Sequence, residues 1–400
     1  MVLKRFKYFV ILFLMQFNLN ICFAEGRVEN IVLVPYTNQV LVQWKDIRGA
    51  QKYEVQYSEF ENFHKASLKE TSLIRLEILD LKAGTSYYFK VRVLDKNVWS
   101  EWSEVKKIKT ADYSVTVGTY NILSSRYDHV FPNNIWENRK EEMRNIILQS
   151  DNNPDILGIQ EGMIDAQVND LGSLLKGSYV SHISKRKISA RAIFWKPEKF
   201  SLVEFDDDIE ILDSNTSGHP TQRFISYVCL KEKKTGNNLM VFNIHVPASY
   251  LADRSEVRNI MVAFISEKAK ELSHNKNNIP AIVLGDFNDI LTTSPSKDIL
   301  SAPNEVQKRG FEDTYSKAIN KINANYSTHD KITNGMVSSS DYLKGIGAKR
   351  IDYIFCYPAN KVQVSDYRII INFDKDSGTV LKQPIPSDHR PVRSTLHIYN

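Results

Sequence analysis

Ile282-Val283-Leu284-Gly285-Asp286-Phe287-Asn288-Asp289 reads as a short apolar strand with a polar exit. Side chains alternate across a strand, so Asp286 and Asn288, two positions apart, leave the sheet edge on one side. A carboxylate and a carboxamide placed there can take a proton from a nucleophile and hold an oxyanion. The same residues also suit a plain strand-to-turn junction. The stretch gains meaning only beside others of its kind.

Five further runs have the same character. Thr119-Tyr120-Asn121 follows Val115-Thr116-Val117. Gln160-Glu161 follows Pro154 to Ile159. Asn243-Ile244-His245 follows Leu239 to Phe242. Arg350-Ile351-Asp352 opens an apolar run, and Pro386-Ser387-Asp388-His389 precedes another. In chain order this set resembles the endonuclease/exonuclease/phosphatase superfamily. The resemblance runs from about Val115 to the C terminus. It implies a four-layer α/β/β/α sandwich and a metal-dependent phosphoric ester hydrolase.

Phosphodiester hydrolysis needs a hard cation, an activated water and donors for the developing phosphorane charge. Glu161 is a natural Mg²⁺ ligand because hard cations prefer oxygen, and Mn²⁺ suits the same donors. The resemblance places Asn121 and Asp388 around the metal as well. It gives Asp286 the task of orienting or deprotonating the water, and Asn288 that of holding a phosphate oxygen. His389 would donate to the scissile phosphate with Asp352 fixing its ring, and His245 would be a second cation or acid near the leaving group. Which histidine acts as the acid stays open. Trp136-Glu137-Asn138-Arg139-Lys140 is similar to the deadenylase-like and secreted branches. In that setting Arg223 reads as a phosphate clamp, or as a surface cation.

At 400 residues the chain is long for one domain. Lys4, Arg5 and Lys7 precede the apolar run Tyr8 to Met15, and a small residue, Ala24, closes the segment. That order predicts a signal peptide over 1–24, and hence a secreted, periplasmic or cell-surface protein. The formal charge of +5 falls to +2 without those three cations. Residues 111–400 carry 35 basic and 35 acidic side chains. Net charge therefore gives little support to nucleic-acid binding. Lys185-Arg186-Lys187, Lys233-Lys234 and Lys349-Arg350 read as solvated faces or turns. Cys22 leaves with the signal, and Cys229 and Cys356 sit in apolar strand patterns, where they read as buried free thiols, with a disulfide in an oxidising compartment as the alternative.

Residues 26–110 lack a long helical pattern and show short alternating runs around Val40 to Trp44, Tyr53 to Tyr57 and Tyr87 to Val93. That spacing predicts an all-β sandwich. Leu81 to Val93, with Trp44 upstream, resembles a fibronectin type III domain. Trp99-Ser100-Glu101-Trp102-Ser103 matches a box in which Arg92 stacks between indoles. This module reads as a spacer or adhesion domain for a surface, polymer or protein partner.

Residues 112–400 alternate strand and helix patterns. Helices are predicted over Trp136 to Gln149, over Ala166 to Leu175, and after Asp253, where Val257, Ile260, Met261, Phe264 and Ile265 share a face. The fold expected for the whole chain is thus α+β: a β-sandwich followed by the four-layer catalytic sandwich. The leading reading is an exported, monomeric Mg²⁺-dependent phosphodiesterase acting on nucleic acid. The alternatives are the same chemistry on a phospholipid, phosphoinositide or sphingomyelin-type head group, and a binding protein with an inactive enzyme domain.

Overall fold

A computed structural model describes residues 27–130, 134–184, 190–212, 223–248, 254–291, 301–329, 332–333, 336–337, 350–372 and 381–399. The candidate signal segment and Lys185-Arg186-Lys187 lie outside these residues. The chain divides into two compact units. One comprises the residues up to Val34, Leu41–Ile78 and Ser86–Ile108. The other comprises Pro35–Val40, Leu79–Thr85 and Lys109 onward.

The smaller unit is all β. Ala50–Ser58 pairs antiparallel with both Ser67–Thr71 and Ser86–Asp95, while Val32–Pro35, Val40–Gln43 and Arg75–Ile78 form a second sheet. Trp44, Tyr53, Val55, Phe89 and Val91 are buried between them. The guanidinium of Arg92 lies 4.6 Å from the Trp99 ring and 4.5 Å from Trp102, and pairs with Glu54 at 2.6 Å. Ser100 and Ser103 hydroxyls accept from the backbone of Val93 and Val91. The box is thus a built strand edge, with its cation stacked as the sequence indicates.

Besides a two-stranded ribbon of Ile332–Thr333 and Met336–Val337, the larger unit has β1 (Tyr113–Asn121), β2 (Ile156–Gly162), β3 (Val180–Ile183), β4 (Ala190–Trp195), β5 (Phe200–Leu212), β6 (Arg223–Glu232), β7 (Asn238–His245), β8 (Ala281–Asp286), β9 (Glu312–Asp313), β10 (Asn320–Ile322), β11 (Asp352–Tyr357), β12 (Val362–Ile369) and β13 (Val392–Ile398). They form a seven-stranded sheet in the order β3-β4-β2-β1-β13-β12-β10 and a six-stranded sheet in the order β5-β6-β7-β8-β11-β9. Each sheet has a parallel pair near its middle, β1 with β2 and β7 with β8. Helices α1 (Trp136–Leu148) and α2 (Asn169–Leu174) cover the first sheet. Helices α3 (Arg254–Asn275) and α4 (Ala302–Lys308) cover the second. The result is the α/β/β/α sandwich.

Strand alternation explains both faces of each sheet. Val115, Val117, Val241, Ile282, Leu284 and Ile354 fill the core between the sheets. Their neighbours Met240, Phe242, Val283, Tyr353 and Phe355 pack under α3 and α4. One strand position further along the shared face, the core turns polar. Gln160 donates to Asn243 at 2.7 Å across the sheets, and Asn243 donates to Ile159 and Ala192 carbonyls at 2.8 and 3.0 Å. Gly158 permits this close approach, since a Cβ there would meet Leu284 at 2.2 Å. Beyond that bridge, the same face ends in Asn121, His245, Asp286 and Asp352.

Two helix expectations need correction. In α3 the buried apolar residues are Val257, Met261, Val262, Ile265 and Ala269, whereas Ile260 is 45% and Phe264 40% exposed. The buried stripe advances by four residues at a time, so positions three further on rotate out. The second helix has other bounds than predicted: a wide helical turn over Ile164–Val168 runs directly into regular helix at Asn169–Leu174. Cys229 and Cys356 are both buried and free. Among the described residues, no helix is long and apolar enough to cross a membrane.

Candidate active site

The site forms where the parallel pairs end. Register places Asn121 beside Gln160, His245 beside Asp286, and Asp286 beside Asp352. Glu161 arrives differently. Alternation would send it to the helix-covered face with Leu157 and Ile159. A bulge between Ile159 and Gly162, with φ of 63° at Glu161, turns it toward the other acids. A non-glycine residue in this region costs about 1–3 kcal/mol and persists only where its surroundings hold it. Here they do: Glu161 accepts from Asn121 Nδ2 at 3.0 Å and from the Ser124 N–H at 3.2 Å. Leu123 and Asn288 share the left-handed conformation, at φ 54° and 48°.

Asn121 is the hub. Its Nδ2 donates to Glu161 and, at 3.0 Å, to Asp286, while its Oδ1 accepts from the Leu123 N–H at 3.1 Å. It spaces the two carboxylates as a donor. Asn288 donates through Nδ2 to the Val246 carbonyl at 2.9 Å and lies 3.2 Å from His245 Nε2. Its backbone N–H donates to Asp286 Oδ1 at 2.8 Å. His389 Nδ1 lies 2.9 Å from Asp352 Oδ2, which leaves Nε2 3.7 Å from Asp286. Asp388 faces His329 at 3.8 Å.

Position sets the charge states. Burial pushes the His245 imidazole down against the pull of Asp286 and Glu161. Burial acts the same way on His389, but the carboxylates of Asp352 and Asp286 outweigh it and hold the ring well above its usual value. Burial also raises Asp286, with His389 opposing and Asp352 adding to the rise. Asp388 is pushed up to about 6, mainly by burial. Burial tends to raise Glu161 too. There the charge that His245 carries at the acid pH where Glu161 titrates, with the Asn121 hydrogen bond, wins, so the carboxyl lies below its usual range.

These groups suit a divalent cation. Glu161, His245 and Asp286 offer ligand atoms within 4.8 Å of one another, as do Asp286, Asp352 and His389, and His329, Asp388 and His389. Four carboxylates crowd one strand end, and Asp352 Oδ1 is buried without a hydrogen-bond partner among the described residues. Acids packed this closely need positive charge, and oxygen donors favour hard ions.

The structure thus brings together Asn121, Glu161, His245, Asp286, Asn288, Asp352 and His389, with Asp388 on the flank beside His329. Arg223 opens β6, but its side chain lies outside the described residues. Two neighbours escaped sequence reasoning. The Thr328 hydroxyl accepts from the N–H groups of Ile351 and Asp352 at 3.0 and 3.2 Å. His329 forms a backbone bridge with His389, their rings 4.7 Å apart. Both belong to the polar stretch after Asn320. No periodicity there singles out either residue.

A profile of the endonuclease/exonuclease/phosphatase family matches residues 118–389. The chain belongs to that family. The match spans the whole site, from the strand bearing Asn121 to His389, and family membership makes the protein a phosphoric ester hydrolase. The chain is 28% identical over 275 residues to the probable CCR4-Not complex 3′-5′-exoribonuclease subunit Ccr4 of Encephalitozoon cuniculi, covering 60% of this chain and 54% of that protein. It is 26% identical over 198 residues to carbon catabolite repressor protein 4 homolog 3 of Arabidopsis thaliana, covering 46% and 42%. The chain thus spans about half the length of the curated relatives it matches. A mannosyl-6-phosphatase of Bacteroides thetaiotaomicron superposes with a TM-score of 0.54 at 25% identity, over 70% of this chain and 99% of that one. Another family protein of that organism gives 0.55 at 24%, over 72% and 98%.

Proposed function

We propose that this protein is an exported Mg²⁺-dependent phosphodiesterase that hydrolyses nucleic acid, with RNA the first substrate to test. The observation that carries the hydrolytic reading is the Asp352–His389 pair facing Asp286 beside Glu161. The likeness to an exoribonuclease subunit favours a polynucleotide.

Glu161 and Asp388 would hold the metal, with Asn121 spacing the acids around it. When bound, Mg²⁺ supplies charge compensation and Lewis acidity toward a phosphate oxygen. The remaining work falls to the chain. Asp286, its carboxyl made more basic by burial, takes the proton of the attacking water. Asn288 and the imidazolium of His389 donate to the phosphate oxygens as charge builds on them. Asp352 keeps that imidazolium charged and aimed. His245, held below its ordinary value, is better suited to neutral hydrogen bonding near the leaving oxygen. Arg223 is assigned to clamp a neighbouring phosphate.

Residues 1–24 are assigned to export, and the all-β unit to a fibronectin type III-type spacer or adhesion module on a monomeric enzyme. The all-antiparallel pairing of Ala50–Ser58 and the stacked Arg92 support the second assignment. The mannosyl-6-phosphatase likeness favours a second reading, hydrolysis of a sugar phosphate monoester.

The test is a panel of single-stranded RNA, single- and double-stranded DNA, mannose 6-phosphate and phospholipid vesicles, each with Mg²⁺ and with chelator. Polynucleotide cleavage that chelator abolishes and Mg²⁺ restores is expected. Turnover confined to mannose 6-phosphate or to vesicles overturns the nucleic-acid assignment.

A further inference from the structure

Arg139 is fully buried in α1 at 0% exposure and takes no part in the chemistry described above. Its Nη1 donates to the carbonyls of Ile122, at 2.6 Å, and Pro386, at 2.8 Å, and its Nη2 to that of Leu123 at 2.6 Å. Ile122 follows Asn121, and Pro386 precedes Ser387. One guanidinium nitrogen therefore ties together the two segments that carry the site. Asp128 lies 3.7 Å away and caps the first turn of α1 through the Trp136 N–H, at 2.9 Å, which fixes the base of the arginine.

What those segments do gives the contacts their meaning. Leu123, left-handed at φ 54°, precedes Ser124, whose N–H donates to Glu161. Ser387 donates its hydroxyl to the Asn121 carbonyl at 2.7 Å and accepts from the His389 N–H at 3.1 Å. Asn134 donates to the Ile385 carbonyl at 2.9 Å, a second tie from the approach to α1. Three carbonyls on two loops need a flat, forked donor that stays charged when buried, which lysine cannot supply.

We propose that Arg139 is a positioning residue for the reaction: it holds the Asn121–Ser124 loop, and through it Glu161, in register with the Ser387–His389 loop. It touches neither substrate nor metal. Its loss separates the loops, and divalent-metal affinity falls together with turnover. The proposal rests on the metal-dependent reading above.

The experiment uses the full chain with Arg139→Lys and Arg139→Met. Mn²⁺ binding is measured by calorimetry, Mg²⁺ half-saturation and kcat with the RNA substrate, and melting in chelator. Supporting partners of metal ligands carry about 10–100-fold in affinity or activity. A methionine variant weakened by about that factor is expected, with lysine recovering part of the loss. Val364→Ala, in the core at the far end of β12, controls for stability alone; it should lower melting without changing Mn²⁺ affinity. Lysine lacks the fork, so an Arg139→Lys enzyme with wild-type Mn²⁺ affinity and kcat overturns the proposal, whether or not the methionine variant folds. Wild-type protein that binds Mn²⁺ but cleaves no RNA counts against the substrate reading instead, and calorimetry still judges Arg139.

Discussion

His245 and His389 stand at the two ends of one short row of acids, and burial acts on both in the same direction. Their charge states nonetheless diverge. His245 lies 3.6 Å from Glu161 and 3.5 Å from Asp286, contacts too long to offset the loss of water. His389 has a carboxylate at 2.9 Å through Nδ1, within hydrogen-bond reach, and its ring stays protonated. The carboxylate at 2.9 Å, with the charges of Asp286 and Asp388 beside it, thus keeps one ring a cation, while Arg191 and the cationic His389 help hold the other neutral. The general lesson is that a buried histidine takes its charge from the balance of carboxylates and cations around it, since burial alone pushes every such ring toward neutrality.

Removing the charged end should have the largest effect. His389→Ala is expected to cut kcat by about 10³–10⁴-fold, the upper part of what a positioned proton donor contributes. Single-turnover cleavage under saturating Mg²⁺ measures it. Retention of more than a tenth of the activity would remove His389 from the chemistry.

Asp352→Asn should make the two histidines alike. It frees the His389 tautomer and should cost about 10²–10³-fold. A double variant with His389→Ala should lose little beyond the single His389→Ala change, because the pair acts as a unit. The pH dependence follows from the sign of the shift. The folded value of His389 is raised, so the stability it contributes is fully present below the unfolded value of about 6.5. That contribution disappears as pH rises through the higher folded value. Melting in chelator should therefore fall with alkaline pH in the wild type and flatten in Asp352→Asn. Parallel curves for the two proteins would contradict the pairing.

A smaller loss, of about 10–10²-fold, is expected for His245→Gln, which keeps a hydrogen-bonding group and removes no charge. An equal loss at His245 and His389 would dissolve the contrast between them.

The mildest prediction concerns Asp388, whose carboxyl titrates near 6. A metal ligand must be ionised, so Mg²⁺ half-saturation should rise roughly fivefold between pH 6 and 5. Asp388→Asn should start from weaker binding and show less of that slope. An unchanged slope would place Asp388 outside the metal site.

Much of the site was legible because strand alternation is local. Val117 and Asn121 on β1, Val241 and His245 on β7, and Leu284 and Asp286 on β8 each share one face at a two-residue period. Apolar runs that end in Asn, His or Asp therefore announced a common rim. Glu161 was legible as a residue type but not as a direction, because the bulge that turns it depends on its pairing with β4. Thr328 and His329 carried no comparable signal, and Arg139 stood only within a stretch similar to the deadenylase-like and secreted branches, with no role attached. Each acts through backbone groups far along the chain: Arg139 reaches Pro386 across 247 positions.

By itself the sequence determined the period of each strand, the apolar faces that must meet, and the polar residues left at their ends, because these follow from local geometry and from water. Only the tertiary structure decided which ends converge, which acid reaches which histidine, and hence which ring is charged. Those outcomes turn on which charged groups, remote in sequence, come together around each ring, where loss of water makes each contact count.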